Sequence, residues 1–342
     1  VDTLVTSTAA RRQPLVIYAT TADVQRESVC NTLYDRACAV RDGKIRDSAF
    51  LPVIYEAPQD ADWTDPAVWA VANPNLGVSV KPEYLAREVE KAKLLPSYAY
   101  TFRRLHLNQR TGSAVQWISA DHWDACNRGP MPDLTGRTAY GGMDLSSTLD
   151  LSAVLLAIEP EDETEPIWLV PRLLLPEAKL SDKQDKVPYR AWADAGLLHV
   201  TPGEVIDYGF IRAEVNRLAN QYDLRELRFD PWHGTQLATQ LTEDDGLPLK
   251  GMRQGYASMS APTKALERLI VSRGIAHDGN PVLSWQLSGC MLTRDASDNV
   301  KVNKQKSTRR VDGIIAGIMA VSALLDAPAS VSTYQTHGLL AL

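Results

Sequence analysis

Three aspartates stand where carboxylates can do chemistry. Asp144 ends the segment Thr138 to Met143, Asp230 ends Leu224 to Phe229 and is followed by Pro231, and Asp312 opens the apolar run that closes at Leu325. The first two segments read as strands and the third as a buried helix. In an open α/β sheet the carboxyl ends of the strands line the functional crevice. A buried helix that begins with an acid can aim it at the same place. Three carboxylates brought together repel one another, and some would take up protons unless cations are shared among them. Oxygen-only ligands suit hard ions such as Mg²⁺ or Mn²⁺ rather than zinc. Two such ions about 3.5–4 Å apart can activate a water and stabilise the leaving oxygen of a phosphodiester. In that scheme Asp144 bridges both ions, while Asp230 and Asp312 each hold one.

Taken singly, each acid has a structural explanation. Asp144 can precede a turn through Ser146 and Ser147, Asp230 can start a turn with Pro231, and Asp312 can simply favour the helix dipole. What argues for a site is two strand-end acids and one helix-start acid in this order of elements. Asp150 lies six residues after Asp144. An antiparallel hairpin would bring it back as an auxiliary ligand or as a group behind the ligands. Ahead of Asp312 come Lys301, Lys304, Lys306, Arg309 and Arg310, with no acid among them. A charge run is ordinarily a solvated face. Beside a phosphate-cleaving site it would neutralise a DNA backbone, with Lys306 the best placed for a phosphate contact. Arg87, Lys91, Arg103, Arg104 and Arg110 form a second candidate basic surface, or pair along their helices with acids such as Glu83 and Glu90.

The elements that must position these groups follow from periodicity. Residues 14–21 read as a buried strand ending in Thr20 and Thr21, and 23–41 as a helix. Residues 58–80, rich in Pro, Asp and Asn, read as irregular. A helix beginning at Pro82 carries Leu85, Val89 and Ala92 on one face, and a short one spans 97–107. Arg110-Thr111-Gly112-Ser113 reads as a linker. Beyond it, strands are expected at 138–145, 151–159 and 167–175, with the acidic turn Glu159 to Glu165 joining the last two as a hairpin. Helices at 188–195 and 208–222, a strand at 224–230, a helix at 234–243 and a strand at 248–253 follow. Helices at 261–273 and 281–294, a basic strand at 299–305 and the apolar helix 311–325 complete the order. This is an α/β pattern with a mixed sheet.

With 342 residues, of which 44% are hydrophobic and 23% charged, the chain has room for two ordinary domains or one large one. A net charge of −6 argues mildly against a nucleic-acid partner, but local patches matter more than the total. The cysteines at 30, 38, 126 and 290 have neither zinc-site spacing nor disulfide-scaffold density, and read as thiols in a reducing compartment. The longest apolar run, Ile314 to Leu325, falls short of the ~20 residues of a membrane span. No signal segment opens the chain, and Val1 in place of methionine suggests an excerpt of a longer, intracellular protein. No paired-histidine metal motif, Gly-x-Ser-x-Gly elbow or Walker A loop occurs. His233 reads as a solvent-exposed side chain near Asp230, and Trp232 as one that packs.

Taken together, Gly141-Gly142-Met143-Asp144-Leu145-Ser146, Arg228-Phe229-Asp230-Pro231 and Arg310-Val311-Asp312-Gly313-Ile314-Ile315-Ala316 resemble the three nuclease motifs of tailed-phage terminase large subunits. Upstream, residues 8–14 and the segment ending in Thr20-Thr21-Ala22 resemble the end of that family's ATPase domain, where the paired threonines match a motif that couples hydrolysis to DNA movement. Asn73-Pro74-Asn75-Leu76-Gly77 resembles the region joining motor to nuclease. The likeness covers most of residues 5–325. It implies an RNase H-like mixed sheet flanked by helices, preceded by the C-terminal part of a P-loop ATPase domain. The implied division is an ATPase remnant with linker helices over 1–111, a nuclease domain over 112–328 and a tail over 329–342. It further implies cutting of double-stranded DNA with two Mg²⁺ or Mn²⁺ ions, and work in the host cytoplasm beside the assembling capsid, away from membranes. The implied partners are the portal protein, the small terminase subunit and a ring of like subunits. The family's phosphate-binding loop and Mg²⁺-holding acidic strand lie upstream of the residues given, so no ATP hydrolysis is expected of this chain alone.

Two other readings compete. Glu177-Ala178-Lys179 has the local spacing of a PD-(D/E)xK nuclease, although Pro176 breaks the strand just before it. A third reading is a non-catalytic scaffold that binds DNA or the portal.

Overall fold

The chain divides into two units, Val1–Ser113 and Ala114–Leu342, each with its own buried cluster. The computed structural model describes residues 12–25, 28–112, 115–146, 150–181, 187–295 and 297–327. The expectations for residues 8–11, Ser147 and the tail 329–342 lie outside the described residues.

In the first unit, β1 (Val24–Gln25) is followed by α1 (Val29–Arg41), α2 (Pro66–Ala72), α3 (Pro82–Leu94), α4 (Pro96–His106) and β2 (Thr111–Gly112), which pairs in parallel with β1. The stripe Leu85, Val89 and Ala92 of α3 is buried with Trp69, Phe102 and Leu107. Helix α2 lies inside the stretch expected to be irregular. Asp65 accepts from Ala67 N–H to cap it, and Pro66 occupies its first position. The strand expected over 14–21 is absent: the segment has no ladder partner among the described residues, and Leu15 and Ile17 are 81% and 78% exposed. An apolar run becomes a buried strand only where a sheet receives it, and the one described sheet of this unit, the two-residue ladder of β1 and β2, does not pair with it. Thr20 and Thr21 sit in this segment, with Thr20 Oγ1 3.6 Å from Cys30 Sγ.

The second unit begins with β3 (Val115–Gln116) and α5 (Ala120–Asp124), then β4 (Thr138–Asp144), β5 (Ser152–Ile158) and β6 (Ile167–Pro176). Next come α6 (Tyr189–Asp194), β7 (His199–Thr201), α7 (Tyr208–Gln221), β8 (Asp223–Phe229), α8 (Pro231–Glu243) and β9 (Leu249–Gly251). The last elements are α9 (Tyr256–Val271), β10 (Ile275–Ala276), α10 (Pro281–Ser288), β11 (Met291–Arg294), β12 (Val300–Val302) and α11 (Asp312–Leu325). The main sheet runs β10-β6-β5-β4-β8-β9, with β7 also on β6. Strand β5 is antiparallel to β4 and β6, whereas β8 and β9 run parallel to β4. The five central strands thus lie in the order third, second, first, fourth, fifth, the RNase H-like arrangement. Strands β12, β11 and β3 form a small antiparallel sheet.

Every residue of β5 is buried, as expected for a strand covered on both faces. One face carries α11 with α9 and α10, and the other carries α7 and α8. Helix α11 is buried from Asp312 to Ala323. Its Ile314, Ile315, Ile318 and Val321 each contribute roughly 1.5–3 kcal/mol by burial. The helix reaches the sheet because Gly142 has no side chain: a Cβ there would lie 2.0 Å from Ala316 O and 2.8 Å from Ala320 N.

Two helix boundaries differ from the sequence expectation. Helix α9 starts at Tyr256, so Pro262 lies inside it rather than in its first turn. The helix expected to reach 294 stops at Ser288, and Met291–Arg294 form β11. The turn of Glu159 to Glu165 is exposed at 161–164, and Arg137 holds its ends by pairing with Glu161 and Glu165 and donating to Glu159 O. Among the described residues no helix is long and apolar enough to cross a membrane.

Candidate active site

Asp144 and Asp312 meet at the carboxyl end of β4. Asp144 is the last residue of that strand, and its side chain is 2% exposed. Asp312 starts α11, which lies along β4 and β5, and its side chain is 10% exposed. Between them stands Lys304, with Nζ 2.6 Å from Asp144 Oδ2 and 3.2 Å from Asp312 Oδ1. That buried oxygen has this ion pair and no other polar partner among the described residues. The other oxygen accepts from Gln254 Nε2 at 2.7 Å. Gln254 is itself anchored by Lys301, whose Nζ donates to its carbonyl at 3.1 Å.

The electrostatics follow from this enclosure. Burial pushes the Asp312 carboxyl up to about 6, the Asp144 charge adds to the rise, and Lys304 opposes it. Burial alone would lower the Lys304 ammonium, but Asp144 and Asp312 outweigh it and the net direction is upward. Asp150 Oδ2 pairs with Arg310 at 2.6 Å, and its Oδ1 accepts from Leu151 N–H. Burial raises the Asp150 carboxyl despite these partners. A cleft of about 580 Å³ joins Asp150, Lys304, Arg309, Arg310 and Asp312, with Trp285 on its wall.

Asp230 follows β8, where Met143 pairs with Phe229 in parallel register. Asp144 and Asp230 are therefore the next residues on neighbouring strands, which lie about 4.8 Å apart. The Asp230 carboxylate caps α8 by accepting from Trp232 N–H at 3.0 Å. No hydrogen bond or ion pair among the described residues links it to Lys304, and among them no three acids, histidines or cysteines are grouped closely enough to hold a metal. The tight cluster is thus Asp144, Lys304 and Asp312, with Asp230 one strand away and Asp150 across the cleft.

The basic residues ahead of Asp312 have internal partners. Lys301 holds Gln254, Lys304 holds the acid pair and Arg310 holds Asp150. Arg309 donates to Ser288 Oγ at 2.6 Å and lies over the Trp285 ring. Lys306 N–H donates to Asn303 Oδ1, which shapes the turn between β12 and α11. In the first unit Arg103 is committed to Gln59 and Gln109, and Arg110 to Asn31 and Asp35. These two arginines support the fold instead of forming a free basic surface. Trp232 does not pack: it is 85% exposed in the first turn of α8. The placement of the His233 side chain lies outside what is described. Cys126 and Cys290 are buried free thiols, and burial raises both. Glu177 and Lys179 fall in a 3₁₀ helix, so the PD-(D/E)xK spacing does not place both on one strand.

Gln254 is the site residue that sequence reasoning missed. It lies just past the carboxyl end of the parallel strand β9, so the rule that flagged Asp144 and Asp230 could also have found it.

The donor chemistry suits a hard divalent cation. Asp144 and Asp312 offer oxygens only, one buried oxygen lacks a hydrogen bond, and two negative charges face one positive charge. Residues 44–327 match the family model of the terminase large subunit, endonuclease domain. The chain belongs to the terminase large subunit family. It is 34% identical to the terminase large subunit of Enterobacteria phage HK97 over 327 residues, covering 94% of this chain and 63% of that protein. The crystal structure of the HK97 large terminase superposes with a TM-score of 0.58, covering 94% of this terminase chain and 66% of that one. Protein YmfN of Escherichia coli strain K12 is 30% identical over 331 residues, covering 93% of this chain and 72% of YmfN. This terminase chain therefore spans about two thirds of the HK97 protein's length.

Proposed function

We propose that this terminase chain is a metal-dependent endonuclease that hydrolyses phosphodiester bonds of double-stranded DNA. The observation that carries the reading is the pair of buried carboxylates, Asp144 and Asp312, facing each other across a single cation at the edge of a basic cleft. Asp144 would be the shared ligand, with Asp312 and Asp230 completing the two positions and Asp150 supporting them. When bound, two Mg²⁺ or Mn²⁺ ions would activate a water and stabilise the departing oxygen. The residues of the chain supply the rest. Gln254 fixes the Asp144 carboxylate through one oxygen and leaves the other for a cation. The N–H to Asp230 Oδ1 bond orients that carboxylate at the neighbouring strand end. Arg309 and Arg310 on the cleft wall offer positive charge to the DNA backbone. No base-reading element is evident, so cutting would tolerate many sequences. Thr20 and Thr21 would belong to the coupling segment of a motor completed elsewhere. Portal protein, the small subunit and sister subunits would be the partners in host cytoplasm.

Metal-dependent nicking of plasmid DNA tests this. Asp144→Ala, Asp230→Ala and Asp312→Ala should each lower the rate by more than the ~10–100-fold typical of groups behind the ligands. Glu177→Ala should cut normally. DNA binding without cleavage under any divalent ion would favour the scaffold reading instead.

A further inference from the structure

Lys304 holds a position that its place in a basic run does not suggest. Its ammonium lies in the gap between two buried carboxylates, where like charges most need a cation. The three partners differ in freedom. Asp144 is fixed at a strand end and Asp312 at a helix start, and both are buried. Lys304 is carried on a turn by a flexible four-carbon stem, and its side chain is 40% exposed. Its ammonium is what faces Asp144 Oδ2, at 2.6 Å, and that oxygen has no other partner among the described residues. Gln254 holds the opposite oxygen independently, so Asp144 keeps its orientation if the lysine leaves.

We propose that Lys304 is a resident counter-cation of the metal-free protein, and that a divalent ion binds Asp144 and Asp312 only by displacing it into the cleft. This rests on the reading that these carboxylates bind metal, and it adds the occupant that metal must replace. Lysine and metal then compete for one position. The lysine stabilises the empty site and lowers its apparent affinity for metal by the fraction of time it is seated.

Mn²⁺ titration calorimetry on the whole chain tests the competition, with melting temperatures taken in chelator and in saturating Mn²⁺. Lys304→Ala should bind Mn²⁺ about tenfold more tightly if the lysine is seated about nine-tenths of the time. It should melt lower than wild type in chelator, and the gap should shrink or reverse in Mn²⁺. Lys304→Arg should bind no more tightly than wild type. A wild-type measurement removes dependence on the variants: amine acylation read by peptide mass should modify Lys304 slowly in chelator and severalfold faster in Mg²⁺. If wild type binds Mn²⁺ but Lys304→Ala binds no tighter, or if Lys304 reactivity is unchanged or falls with metal, displacement is wrong while the metal site stands. If wild type takes up no Mn²⁺ at all, both readings fall.

Discussion

The two ends of α11 are tied to the sheet by charge in opposite ways. At its C-terminal end, Arg228 of β8 is buried and held by three partners: it pairs with Glu226 at 2.6 Å and Asp326 at 2.9 Å, and donates to Ser322 Oγ at 2.6 Å. At its N-terminal end, two buried acids share one lysine, and one oxygen has no hydrogen bond. A charge that serves the fold has its partners in place, because a buried unpaired charge is costly. On the proposed reading, a charge kept for a ligand would be left partly unsatisfied, and that shortfall would mark the site more surely than the acids themselves.

The contrast can be broken at either end. The largest stability effect is expected from Arg228→Ala, which removes the buried centre of the cluster with its charge-assisted hydrogen bonds and should cost about 3 kcal/mol, read from the denaturant midpoint. The apolar Arg228→Met should recover part of that loss. Asp144→Asn should behave oppositely: in chelator its stability should stay within about 1 kcal/mol of wild type, because lost repulsion offsets the lost ion pair. If both variants destabilise equally, the distinction between the two ends fails.

Gly142→Ala should come next. Its Cβ would meet backbone atoms of Ala316 and Ala320, so α11 must lift, at a cost of about 1–3 kcal/mol. Because Asp312 rides on that helix, Mn²⁺ affinity should fall together with stability. Asp150→Asn should slow cutting by about 10–100-fold with little change in melting, since it sits behind the pair with Arg310.

The smallest effect is one of pH. His277 Nε2 lies 2.9 Å from Trp123 O, and Nδ1 accepts from Gly279 N–H at 3.0 Å, which requires a neutral ring. Burial lowers its proton affinity below the ordinary value of 6.5. The unfolded chain therefore binds the proton first as pH falls, and stability from this group is present above 6.5 and lost below it. The slope should be at most ~1.4 kcal/mol per pH unit. Comparing His277→Asn with wild type between neutral and acid pH isolates it, because His106 and His199, also lowered by burial, contribute to both. A variant with the same acid slope as wild type would exclude His277 as its source.

The strands and the acids at their ends were legible because both signals are local: alternation and apolar runs for β4, β5 and β8, then an aspartate or Asp-Pro where each stops. Lys304 was visible only as one charge among several, since its partners are 160 residues upstream and 8 downstream. Trp232 looked like core because tryptophan usually is, yet it follows the capping Asp230 on the outer side of its helix. The run at Leu15 to Tyr18 misled for a related reason: hydrophobicity states a need for burial, while the short β1–β2 ladder, the one sheet among the described residues of that unit, does not pair with it. The helix expected from 261 begins five residues earlier: Pro262 lies seven residues into α9, where its missing N–H costs one bond that a long, well-packed helix can spare.

The turn that carries Lys304 has one more consequence. Asn303 Oδ1 accepts from the N–H groups of Gln305 and Lys306, and Ser307 N–H donates back to the Asn303 carbonyl, so the lysine hangs from a fixed peg. A tethered ion acts as though dissolved at a set local concentration, in the millimolar range or above for short flexible links. Leash length and anchor rigidity, more than the strength of any single contact, would then decide how much free cation the surroundings must supply before the enzyme is armed.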